Sequence, residues 1–113
     1  MLSIDALNAY GADTAEGLAR CMNNEPFYIR VVGIALADKN FEALRAGFAA
    51  DDARAAFEAA HALKGSIGNV ALTPIYAPVC ALTELLRGKS GPITGGEELL
   101  EEIMAQWERA KAL

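Results

Sequence analysis

The sequence predicts an all-α fold, and three observations carry that expectation. Apolar residues recur at helical spacing along almost the whole chain, and no window alternates in the strand-like manner between turn signals. Cap and breaker residues also divide the chain into segments of helix length. The chain has 113 residues and is 53% hydrophobic, which is enough to build one core without disulfides or a structural metal. A single domain over residues 1–113 is therefore expected.

The elements follow in order. Ser3 can cap a short first helix that stops at Gly11, and Asp13, with Glu16 three residues on, can open a second running to about Cys21. Asn24 before Glu25-Pro26 starts a third, to about Ala37, and Asp38-Lys39-Asn40 separates it from a helix over Phe41–Ala49. Asp51-Asp52 opens the longest segment, to about Asn69. Thr73-Pro74 reads as an N-cap with proline in the first helical position, so the next helix is expected from there to Arg87, forming a hairpin with its predecessor. Pro78 falls one turn in and predicts a kink or a delayed start. Thr94 and Glu97 have capping-box spacing and predict a last helix through Trp107 to about Lys111.

Charge and cysteine content exclude several functions. Ten Lys and Arg against 15 Asp and Glu give a net charge of -5, which argues against nucleic acid as the main partner. Cys21 and Cys80 lie far apart in apolar helical patterns and read as buried free thiols, as suits a reducing cytoplasm. No apolar run reaches the ~18 residues of a membrane span, and no basic segment followed by an apolar run opens the chain. Gly88-Lys89-Ser90 resembles the end of a phosphate-binding loop, but that motif needs glycine where Thr83 stands.

The informative stretch is Ala59-Ala60-His61-Ala62-Leu63-Lys64-Gly65-Ser66-Ile67-Gly68-Asn69-Val70, which holds the only histidine. At 100° per residue, Ala53, Ala56, Phe57, Ala60, Leu63, Ile67 and Val70 form an apolar stripe about 180–320° from His61. Gly65 and Gly68 lie about 40° and 20° to either side of His61, away from the centre of that stripe. Each glycine disfavours helix by ~1 kcal/mol relative to alanine. The expectation is that neither carries packing, and that both leave the imidazole open to a large partner. Lys64, one turn on, can place an ammonium beside a phosphoryl group. Ser66 projects about 140° away, so His61 is itself the candidate nucleophile, and one histidine with two distant cysteines makes no metal site.

The series His61, Leu63, Lys64, Gly65, Ser66, Val70 and Ala71 resembles the signature of the histidine-containing phosphotransfer (HPt) domains of two-component phosphorelays. Asn23–Tyr28, Phe41–Leu44 and Leu72–Tyr76 are similar to small bacterial members. The resemblance implies an antiparallel four-helix bundle with one or two short accessory N-terminal helices. It implies a phosphohistidine carrier rather than an autonomous enzyme, in which His61 accepts a phosphoryl group from a receiver-domain aspartate and passes it to another. Lys64 would assist electrostatically, and Gly65 would keep the approach open. No cofactor is implied for this chain, because the Mg²⁺ and acidic pocket belong to the receiver. The expected partners are receiver domains and a hybrid histidine kinase, in the cytoplasm, with no nucleic acid and no membrane. Arg54, Phe57, Glu58, Gly65 and Gly68 are the expected partner contacts. Thr83, as far from the hairpin turn as His61, stands where relatives carry Gln or Glu and is a candidate to orient the imidazole. The alternative is a non-phosphorylated module that docks and sequesters a receiver. The presence of both His61 and Lys64 favours the carrier.

Overall fold

The computed structural model describes residues 1–113 as seven α-helices and no strands: α1 (Ile4–Tyr10), α2 (Thr14–Arg20), α3 (Glu25–Leu36), α4 (Asn40–Ala49), α5 (Ala53–Asn69), α6 (Thr73–Leu86) and α7 (Glu97–Lys111). Four expected caps form. The side chains of Ser3, Asp13, Asn24 and Asp52 each accept a hydrogen bond from the backbone N–H three residues on, satisfying donors that a helix start leaves orphaned. Gly11 closes α1 at φ 109°, a left-handed conformation that glycine adopts without steric cost.

Three boundaries differ from expectation. Thr73 is the first residue of α6 rather than its cap, because the fully buried Leu72 occupies the cap position and anchors the turn in the core. Pro78 neither ends nor delays α6, which runs on through it. The Thr94 capping box does not form, because left-handed Gly95 and Gly96 intervene and α7 starts at Glu97 without a side-chain cap. Gly96 has a packing reason as well: a Cβ there would come within 3.0 Å of Leu82 and 3.4 Å of Phe48.

Helices α4 to α7 form an antiparallel bundle. Close approach of α4 to α5 depends on Gly47, where a Cβ would sit 2.8 Å from the Ala56 backbone nitrogen. Phe41 of α4 stacks on Trp107 of α7 at 4.4 Å and closes the ring of four. The core is one cluster of 24 buried residues, to which α5 contributes Ala53, Ala56, Ala59, Ala60, Leu63 and Ile67. That is the stripe expected opposite His61, with Ala59 added, Val70 buried just past the helix end and Phe57 only partly buried.

Three helices precede the bundle, the three that the caps at Ser3, Asp13 and Asn24 predict, and they wrap the end where α5 turns into α6. The buried Tyr28 hydroxyl of α3 donates to the Val70 carbonyl at 2.8 Å, and the Asp13 N–H donates to the Ala71 carbonyl at 2.9 Å. Ala71 itself holds φ 58°, so these contacts fix a turn that an alanine does not favour. Tyr10 ties α1 to α7 through the Gln106 carbonyl at 2.9 Å. Burial pushes its phenol up to about 12. No helix is long and apolar enough to cross a membrane.

The Trp107 indole N–H donates to the Leu36 carbonyl at 2.8 Å, serving an acceptor that the end of α3 leaves without a helical partner. Trp107→Phe keeps the stacking on Phe41 but strands that buried carbonyl. The expected loss is about 1–3 kcal/mol, read as a lower urea midpoint at unchanged slope.

Candidate functional site

The middle of α5 presents His61 at the surface, with Ala59, Ala60 and Leu63 buried around its base. An open cleft of about 560 Å³ lies in front of it, lined by Arg20, His61, Lys64, Gly65, Gly68, Asn69 and Tyr76. The imidazole and the Lys64 ammonium therefore share one solvent-accessible space, as one helical turn between them requires. Gly65 is bare: a Cβ added there would meet nothing within 4 Å.

Gly68 departs from expectation. It lines the same cleft, but the Tyr76 ring of α6 lies over it, and a Cβ would come within 2.8 Å of Tyr76 Cε1. Two glycines on one helix face thus have different causes. One leaves a path open to solvent, and the other admits an aromatic ring from the neighbouring helix.

The imidazole is positioned by a ring rather than by a carboxamide. Phe57, one turn before His61 on α5, stacks on it at 5.6 Å with 16° between the planes. The Arg87 guanidinium sits 5.4 Å from the Phe57 centroid on the ring face, and Arg87 Nε donates to Glu84 at 2.7 Å. The Arg87 hydrogen bond holds the Glu84 carboxyl below the usual carboxylate range, and the nearby Lys64 ammonium acts in the same sense. Arg54, Phe57 and Glu58 line an adjoining cleft with Gly88, Lys89 and Ser90. Arg20, Arg54, Lys64, Arg87 and Lys89, five of the chain's ten basic residues, thus gather about His61 in a protein of net charge -5. Arg20 and Arg87 are paired with Glu16 and Glu84, which leaves Arg54, Lys64 and Lys89 against Glu58, a modest cationic excess on this face.

A family model described as the Hpt domain matches residues 34–113, more than half of the chain. The chain belongs to the Hpt domain family. Comparison with curated proteins and with solved structures finds no match. Hpt domains are phosphocarrier modules of two-component relays and act with receiver domains.

In this Hpt domain Thr83 does not orient the imidazole. It is fully buried, and its hydroxyl donates to the Val79 carbonyl of its own helix at 2.7 Å, the usual fate of a threonine inside a helix. Ser66 also has a structural part, donating to Asp38 at 2.9 Å and tying the α3–α4 turn to α5. Arg20, Asn69, Tyr76 and Arg87 were not singled out by the sequence. Arg87 caps the C-terminus of α6, four residues beyond Thr83, so the expected helix to Arg87 could have found it. Arg20 had no such signal, since only the docking of α2 brings it to the cleft.

Gly65→Ala should raise stability by up to ~1 kcal/mol, because alanine forms helix better and nothing obstructs its methyl group. Gly68→Ala should lose that gain to displacement of Tyr76. Thermal melting checks the pair: a raised midpoint is expected for Gly65→Ala alone. Thr83→Val should leave the His61 tautomer ratio unchanged by ¹⁵N NMR.

Proposed function

We propose that the chain, acting as one unit over residues 1–113, carries a phosphoryl group on His61 in a cytoplasmic phosphorelay. The observation that supports this is the exposed imidazole of an Hpt domain sharing an open cleft with Lys64 and the bare backbone of Gly65.

The chemistry follows from what each group can do. The lone pair of neutral Nε2 attacks phosphorus, an N–P bond forms, and the P–O bond to the receiver aspartate breaks, releasing its carboxylate. The reverse sequence loads the next receiver. Charge spreads over the phosphoryl oxygens in the loose transition state, and Lys64 supplies a cation beside them. Phe57 limits the ring's rotation, so that Nε2 meets the incoming phosphorus in a narrow range of directions. Gly65 keeps side-chain bulk out of the receiver's path. Arg54, Phe57 and Glu58, with the cleft beside them, are contacts for the same partner.

Transfer from a phosphorylated receiver should give acid-labile, alkali-stable label on the wild-type protein and none on His61→Gln. Equal labelling of that variant would exclude His61. Lys64→Ala should fold normally, because a partly exposed lysine without an ion-pair partner contributes little to stability. Its transfer should slow by about 100-fold, the lower end of what losing one group that stabilises transition-state charge costs. Rapid-quench measurement of single-turnover transfer reads this directly.

A further inference from the structure

The cleft before His61 continues into a second one of about 520 Å³, which shares Arg20 and Asn69 with it. The second is largely apolar, lined by Cys21, Val31, Ile34 and Val70, and Arg20 is its only charged residue. Ile34 is 64% exposed and Phe27, on the same helix, 46%. Phe27, Val31 and Ile34 recur at helical spacing and form an uncovered stripe of α3. A polar cleft with the nucleophile and an apolar groove thus meet at one arginine.

Arg20 reaches that junction from α2. Its Nη1 donates to the Gly68 carbonyl near the end of α5, and its Nη2 contacts Glu16 at 2.8 Å. A guanidinium carries five N–H donors, so these contacts leave others for a partner. Gly68 is two turns beyond His61, about 10 Å along the helix, and side chains lean toward the helix N-terminus. Arg20 is therefore too far away to hold a phosphoryl group on His61. It is placed to meet what surrounds that group.

We infer that the receiver-docking surface runs from His61 over Arg20 onto the groove against α3, with Arg20 pairing an acidic side chain of the receiver and the groove taking an adjacent apolar face. This rests on the carrier reading. A receiver that brings its aspartate to Nε2 covers the first cleft, and a standard interface of about 800 Å² per partner is a patch of roughly 16 Å radius, which extends past Arg20. Arg54, Lys64 and Lys89, which have no ion-pair partner, outnumber the unpaired Glu58 on this face and complement an acidic partner. Arg20 lies before residue 34, where the family match begins, so this contact belongs to the chain's own N-terminal helices. It is a means of choosing among receivers that all carry the same reactive aspartate.

The test is single-turnover transfer from a receiver domain that phosphorylates the wild-type chain, measured over receiver concentration at two ionic strengths. Arg20→Glu should raise the half-saturating concentration by roughly three- to tenfold at low salt and flatten the salt dependence, with the effect in that concentration rather than in the saturating rate. Arg20→Lys, which keeps the charge and a donor for Gly68, should restore most of the affinity. Ile34→Ser should weaken half-saturation without altering the salt dependence. An Arg20→Glu protein with unchanged half-saturation and salt dependence overturns the inference. So does a loss confined to the saturating rate or matched by a collapse in melting temperature, either of which assigns Arg20 to the α5 terminus alone. Wild-type protein is separately treated with phosphoramidate. If neither that donor nor any receiver labels His61, the carrier reading fails and the docking inference falls with it.

Discussion

The site depends on holding α5 rigid along one face while leaving the other face uncovered. Small side chains make this feasible. Ala53, Ala56, Ala59 and Ala60 let the flanking helices come close, and Gly47 lets α4 approach until only a hydrogen fits between its backbone and Ala56. A helix gripped this closely has little freedom to tilt, since interiors are packed at crystal-like density. His61 inherits that rigidity from Ala60 behind it and Leu63 beside it, both fully buried. Larger residues on the buried face would push α4 and α6 outward and loosen the platform that carries His61.

On the exposed face, order comes from side chains rather than from packing. Glu84 fixes Arg87, Arg87 lies over Phe57, and Phe57 stacks on His61. Each contact is weak alone, about 0.5–1.5 kcal/mol for the stacked pair and less for an exposed ion pair. Together they bias the imidazole without fixing it by a hydrogen bond. A ring held in this way keeps some freedom to adjust to the direction from which a partner approaches.

The N-terminal helices do more than cover apolar surface. They meet the α5–α6 turn through Tyr28, Asp13 and Arg20, and all three contacts end on backbone carbonyls of residues 68–71. Those carbonyls belong to the end of α5 and a left-handed turn at Ala71, where the regular i+4 ladder stops, although the Gly68 carbonyl also accepts from the Ala71 N–H. The same contacts place a guanidinium in the cleft before His61, so one requirement of folding also shapes the site.

The sequence by itself determined the helical class, four of the caps, the buried stripe of α5 and the exposure of His61, Lys64 and Gly65. These are local properties, set by side-chain chemistry within a few residues and by the 3.6-residue period. The tertiary structure decided what lies over each exposed residue. Gly65 and Gly68 are equivalent on a helical wheel, yet the Tyr76 ring covers only the second. Thr83 is level with His61 along the hairpin, but the rotation of α6 turns it into the core, where its hydroxyl bonds Val79. Arg20 entered the site because α2 docks across the end of α5, and the start of α7 moved to Glu97 because Gly96 must pass close to Leu82 and Phe48. A wheel describes one helix in isolation, and what touches its exposed face is fixed by the rotation and height of its neighbours, which only packing of the whole chain sets.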